Sequence, residues 1–285
     1  MSLKSELGRR LLNDMIIAAR GSDPAVVLVV DAHTAKVLSS CLRMFDIMEA
    51  GVLVLQNLML NREKLPDLPA IYFIDPTEEC IQRLIADFPA GGASGAAAAT
   101  TKGPKCQYLN AHLFFTSHVP TAGMNLLKAS PIMKKIRSFV ELNADFIAAE
   151  SRVFLFDQPH TIRDLYFPTD ATRLSYTLSN ISKPLVSLCI TCQEYPHVRY
   201  SQLGKSGICK GLASFFDIDM KKTVSQLEKW KVRRGDRGAR AETPSQRGSG
   251  NALPPKYCSI AGFAAHCHFL LLVRIPAACL CIFII

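Results

Sequence analysis

Residues 26–31 read Val26-Val27-Leu28-Val29-Val30-Asp31, five apolar side chains closed by a carboxylate. Valine favours the extended backbone. An unbroken apolar run of strand length suits a strand buried on both faces of a parallel sheet, where in–out alternation disappears. Upstream, Leu7, Leu11, Leu12, Met15, Ile16 and Ala19 recur at helical spacing, so an amphipathic helix precedes the strand. Downstream, a helical segment runs from Ala35 to Met48 and stops at Gly51. Val52-Leu53-Val54-Leu55 and Ala70-Ile71-Tyr72-Phe73-Ile74 follow as second and third strands. Asp75-Pro76-Thr77-Glu78 reads as a helix start, with Asp75 as N-cap, Pro76 at the first helical position and Glu78 at the third. Behind it Ile81, Leu84, Ile85 and Phe88 form one apolar stripe. Leu113-Phe114-Phe115-Thr116 is a fourth strand, and Pro120 opens a helix through Lys128. Strands alternating with helices over short loops predict an α/β fold: a three-layer domain around a parallel sheet.

That domain is expected to occupy residues 1–150. A second α/β unit begins near Glu150, with Val153-Phe154-Leu155-Phe156 as its first strand, and residues 151–220 are read as a partial domain. Residues 221–285 are expected to be a disordered basic linker and an apolar tail; Arg233 to Pro255 has the Gly, Pro, Ser and Arg content of a linker. Pro89 to Gly103 is rich in Ala and Gly and reads as a flexible insertion in a surface loop.

Composition narrows the function. The chain is 49% hydrophobic and 20% charged, a globular balance. Its net charge of +9 is uneven: up to Tyr200 there are 20 Lys and Arg against 19 Asp and Glu, so the excess belongs to the tail. The globular part therefore shows no nucleic-acid signature, although Lys229 to Arg234 could serve a basic-tail RNA or membrane binder. The ten cysteines are irregularly spaced, and Met1 to Arg20 is polar and charged without a secretory pattern, so reduced thiols in the cytosol are expected.

Sites for chemistry fail in turn. The turn after the first strand, Asp31-Ala32-His33-Thr34, has no glycine to admit a pyrophosphate. Gly204-Lys205-Ser206 resembles the end of a P-loop, but its first glycine would fall on Arg199. Cys189-Ile190-Thr191-Cys192 lacks a second pair and sits in an apolar helical stretch, which makes these core cysteines. His266-Cys267-His268 beside Cys258 reads as an accidental cluster. Phe269 to Ile285 is apolar but short for a bilayer and interrupted by Arg274 and Pro276. No catalytic, cofactor or metal residues are assigned. A small flavodoxin-like enzyme with its site near Asp31 and Asp75 is the alternative.

Four segments, in order, resemble the Sec/Munc (SM) family of syntaxin-binding proteins. They are Val27 to Asp31 running on to Leu38 through Met48; Arg62-Glu63-Lys64-Leu65-Pro66 with Ala70 through Thr77; Ala111 through Thr116 with Glu141-Leu142-Asn143; and Glu194-Tyr195-Pro196-His197-Val198-Arg199-Tyr200. The resemblance implies a monomeric, non-catalytic cytoplasmic regulator of vesicle docking and fusion. Such a protein needs no cofactor or nucleic acid, and reaches plasma or vesicle membranes through a syntaxin-type SNARE. It implies a pocket for the syntaxin N-terminal peptide formed by Met124, Leu127 and Glu141, with Met124 where the family usually has an aromatic residue. It also implies a cleft surface for closed syntaxin bearing Lys36, Arg43 and Glu63, with Gln56 at a position that is usually acidic. The resemblance covers Val26 to Tyr200. A family member is about twice this length, so a truncated form without the SNARE-templating third domain is expected.

Overall fold

The computed structural model describes residues 2–95, 97, 105–151, 153–158, 161–193, 195–200, 208–226, 270–275 and 278–283. The helical stretches Leu3–Arg9 (α1), a π-helical Arg10–Ile17 and Ala18–Arg20 (α2) run on with helical backbone angles at each junction. Leu7, Leu11, Met15 and Ala19 are buried along one side. A strict spacing of four overshoots the 3.6-residue turn, and the wider i→i+5 turn takes up the drift. Leu12 stays only partly covered.

The sheet is five-stranded and wholly parallel, in the order β2-β1-β3-β4-β5. Its strands are β1 Val26–Val30, β2 Val52–Asn57, β3 Ala70–Ile74, β4 Ala111–Phe115 and β5 Ile136–Glu141. The central β1 and β3 are buried at every position, as an unbroken apolar run requires. β5, an edge strand, has no such run and was not legible in the sequence. Alternate side chains divide the interior. Val26, Leu28, Val30, Ile71, Phe73 and Phe114 pack towards α1 and α3 (Ala32–Cys41). Val27, Val29, Tyr72, Ile74, Leu113 and Phe115 pack towards α5 (Glu78–Ala86) and α6 (Thr121–Ala129). The predicted Ala35–Met48 helix is broken at Leu42, whose ψ of 144° is extended, so α4 (Met44–Glu49) starts afresh. Gly51 turns the chain into β2 at φ +98°, where an added Cβ would meet Arg20 at 2.6 Å.

The cap of α5 differs from expectation. Thr77, not Asp75, accepts the N–H of Cys80, at 3.3 Å. Asp75 directly follows β3, and its carboxylate accepts the Thr116 hydroxyl at the end of the neighbouring strand at 2.6 Å. The Ala/Gly stretch is not free at its start: Cys106 donates to the Ala93 carbonyl at 2.8 Å and Gly95 to that of Pro66 at 2.8 Å.

Beyond β5, Ile147–Ala148 (β6) pairs antiparallel with Phe154–Leu155 (β7). After α7 (Thr161–Tyr166), α8 (Ala171–Cys192) packs against α9 (Ile208–Gln226). Cys189 is in the core, as its apolar surroundings require. Pro184 lies inside α8 and has no N–H for the carbonyl of Asn180; Gln158 supplies the missing donor at 3.1 Å. One continuous core runs from Leu3 through β1 and β3 to Leu188, Leu212 and Met220. His197–Tyr200 (β8) pairs with the hairpin of Leu270–Ile275 (β9) and Ala278–Phe283 (β10). Lys229 to Arg234, Gly204 to Ser206, Arg233 to Pro255 and the His266–His268 cluster lie outside the described residues. Among the described residues no helix is long and apolar enough to cross a membrane.

Candidate functional site

The end of β5 and the loop into α6 form a polar corner with apolar neighbours. Pairing of β5 with β4 sets Phe139 opposite Leu113 and Glu141 opposite Phe115. Parallel partners share a face, so Phe139 and Glu141 lie on the side covered by α5 and α6. Phe139 is 37% exposed and meets the Phe115 ring at a tilt of 47°, 5.5 Å between ring centroids. Sequence reasoning missed it, because its role depends on the edge position of an unrecognised strand. Glu141 accepts the N–H of Val119 at 3.0 Å and faces the Nδ1 of His118 at 2.9 and 3.0 Å through its two oxygens. Val119 is buried and anchors this loop.

Of the two other residues predicted here, Met124 is half-buried, one turn into α6, and packs on the core beneath. Leu127 is 1% exposed and belongs to that core outright. Leu127 can shape the floor of a pocket but offers almost no surface of its own. Behind the corner, Asn143 takes the left-handed conformation at φ 52°, which asparagine tolerates better than most residues. Arg10 holds this turn by donating to the carbonyls of Leu142 and, at 3.3 Å, Asn143.

The second predicted surface lies around the β2 edge. Lys36 is exposed on α3 and pairs with Asp157. Arg43 is exposed at the start of α4, where the Asp46 carboxylate accepts its backbone N–H at 3.2 Å. Glu63 is exposed in the loop after β2, and its carbonyl accepts Gln107 at 2.7 Å. Lys36 and Arg43 belong to the helices of one layer, whereas the loop of Glu63 packs through Leu58, Leu65 and Leu68 on the other. That loop is tied down by an ion pair between Arg62 and Asp87, with both side chains 9% exposed. Tyr72 donates to Asp87 at 2.6 Å and Tyr108 donates to Gln56. Burial alone would lower the Arg62 pKa; the Asp87 carboxylate outweighs it and raises it. Close to Arg43, α4 leaves Met44, Phe45 and Met48 exposed, Phe45 at 72%, and Leu53 of β2 is exposed as well. Isolated exposed apolar side chains are ordinary; here three fall on one short helix.

At the strand ends between β1 and β3 stands an acidic group. Asp31 is buried; its carboxylate caps α3 through the Thr34 N–H at 2.8 Å and accepts the Asp75 N–H at 2.6 Å. Asp31 thus serves as a structural acceptor that ties the start of α3 to the residue after β3. Burial and the Asp31 charge raise Asp75 to about 6, against the opposing pull of His33 and Thr116. His33 meets Asp145 at 3.0 Å. Burial by itself would lower the His33 pKa, but the Asp145 hydrogen bond and the charges of Asp75, Asp145 and Asp31 raise it to about 9. His33, Asp75 and Asp145 place ligand atoms within 4.8 Å of one another, the one such group among the described residues. A protonated His33 balances part of the acidic charge there and gives the group a structural account.

The profile described as the Sec1 family matches residues 26–245, which extends past Tyr200. A protein transport protein sec1 from Dictyostelium discoideum is 36% identical over 203 residues, covering 70% of this chain and 32% of its own length. The SNARE-interacting protein KEULE of Arabidopsis thaliana is 29% identical over 196 residues, 67% of this chain and 28% of its own. Among solved structures, the Unc18–syntaxin 1 complex from Monosiga brevicollis aligns at a TM-score of 0.65 and 30% identity over 79% of this chain and 37% of that one. Sly1p bound to an N-terminal peptide of Sed5p shares the fold at a TM-score of 0.65 and 20% identity, over 80% of this chain and 40% of that one. The chain spans about a third of the length of the curated relatives it matches.

Proposed function

The chain belongs to the Sec1 family, and on that premise we propose that it binds a syntaxin-type SNARE, through residues 1–150, as a non-catalytic regulator of vesicle docking and fusion. Relatives named for protein transport support the process. The Unc18 relative, at 30% identity, is described in complex with syntaxin 1, which supports the partner. The proposed site of action is the cytoplasmic face of a plasma or vesicle membrane, reached through the syntaxin.

The observation that carries the reading is the Glu141 corner: a carboxylate 26% exposed, flanked by exposed Phe139 and by Met124 on α6. It suits a peptide that presents one guanidinium beside an apolar side chain, since a charge-assisted fork and a small apolar contact act together. Lys36, Arg43 and Glu63 are proposed to face the body of syntaxin, with Met44, Phe45 and Met48 supplying apolar area beside them. An amphipathic helix would lay its apolar side there and its charges on the rim.

Titration calorimetry with an N-terminal syntaxin peptide and with whole syntaxin tests this. The peptide should bind at about micromolar strength, roughly 8 kcal/mol. Glu141→Ala should weaken it about tenfold or more, the loss of one charge-assisted contact. Arg43→Glu should leave peptide binding alone and weaken only whole syntaxin. Heat from neither ligand, with a folded protein, would refute the reading.

A further inference from the structure

We propose that His118 is a built-in competitor for the cation that Glu141 receives, so that it sets how strongly this protein takes an arginine-bearing peptide. The inference rests on the peptide reading above. The Nδ1 of His118 lies 2.9 and 3.0 Å from the two oxygens of the Glu141 carboxylate. An ionised carboxylate only accepts, so Nδ1 carries the proton in this contact. The ring thus straddles the same fork that a guanidinium needs for a two-bond grip. The second donor, the Val119 N–H, approaches one oxygen at 3.0 Å and belongs to a backbone pinned by the buried Val119 side chain. It stays when a peptide arrives. His118 can leave: its side chain is 50% exposed. The incoming arginine therefore replaces an existing hydrogen bond instead of meeting a bare carboxylate.

The test is calorimetry of the full chain and its His118→Ser variant with a synthetic N-terminal syntaxin peptide carrying one arginine. The same peptide with norleucine in place of that arginine is the control. An exposed pair of this kind contributes little, so His118→Ser should bind the arginine peptide about 2- to 5-fold more tightly. The norleucine peptide, which has no donor for the carboxylate, should bind both proteins alike. In the nitrogen spectrum of the imidazoles, the His118 signals of the unaltered protein should move on peptide addition towards their position in Glu141→Ala. Equal affinity of the two proteins for the arginine peptide, or His118 signals unmoved by it, overturns the competition while leaving peptide binding in place. No heat from either protein removes the peptide reading itself, and the competition with it.

Discussion

Arg10, in the π-helical stretch of the first helix, donates from Nη1 to the Thr191 hydroxyl at 2.6 Å, across 181 residues of chain. The same guanidinium serves the carbonyls of Leu142 and Asn143. It thereby joins the first helix, the turn behind Glu141 and the long helix α8. Among the described residues no carboxylate forms an ion pair with it, and burial lowers its pKa. A buried charge is tolerable here only because several fixed acceptors surround it.

Arg10→Met keeps the apolar stem and leaves two carbonyls and a hydroxyl without their donor. The urea midpoint should fall by the equivalent of about 1–3 kcal/mol. Exchange of the Leu142 and Asn143 amides should accelerate more than that of β1. Uniform acceleration throughout would mean that Arg10 does not hold this turn in particular.

Asp87 is the hub beneath the loop of Glu63, accepting from the two terminal nitrogens of Arg62 at 2.9 Å and from Tyr72. Asp87→Ala strands a buried guanidinium and should cost about 3–5 kcal/mol. Hydrogen exchange over residues 58–69 should rise well before global unfolding. A loss under about 1 kcal/mol would show that the pair is worth no more than a surface contact.

His33 gives stability a pH dependence of known sign. Its folded-state pKa of about 9 lies above the ordinary 6.5, so the stabilisation is complete below pH 6.5 and is lost as pH rises through 9. The loss should be on the order of 3 kcal/mol. Asp75, raised to about 6, acts in the same direction but below that window, between its ordinary value and pH 6. His33→Gln should flatten the upper slope, as measured by urea unfolding between pH 6.5 and 9; an unchanged slope would place its origin elsewhere.

Leu127 and Met124 should separate stability from binding. Leu127→Ala empties a fully buried position and should cost about 2–5 kcal/mol of stability. Met124→Phe, on a half-buried position, should leave the midpoint within about 1 kcal/mol and strengthen peptide binding, as calorimetry would show. If Leu127→Ala melts normally and only binding suffers, the burial of Leu127 is not what the packing implies.

What the sequence determined by itself is the layered α/β architecture. Runs such as Val26 to Val30 and Ala70 to Ile74 can satisfy their side chains only as strands covered on both faces, and the intervening apolar stripes must cover them. The family resemblance was legible for a related reason, since it resides in those same strands and the turns that end them. The tertiary structure decided what each polar residue does. Asp75 is a plausible helix cap in isolation, but the approach of Asp31 and Thr116 draws it to the strand ends and leaves the cap to Thr77. β5 pairs as an edge strand although its pattern is mixed, because the exposed rim of β4 supplies hydrogen-bond partners that no local signal encodes. The contact between His118 and Glu141 likewise depends on a loop and an edge strand 23 residues apart meeting in space. Periodicity reports which face a residue takes; which partner it meets there depends on long-range packing.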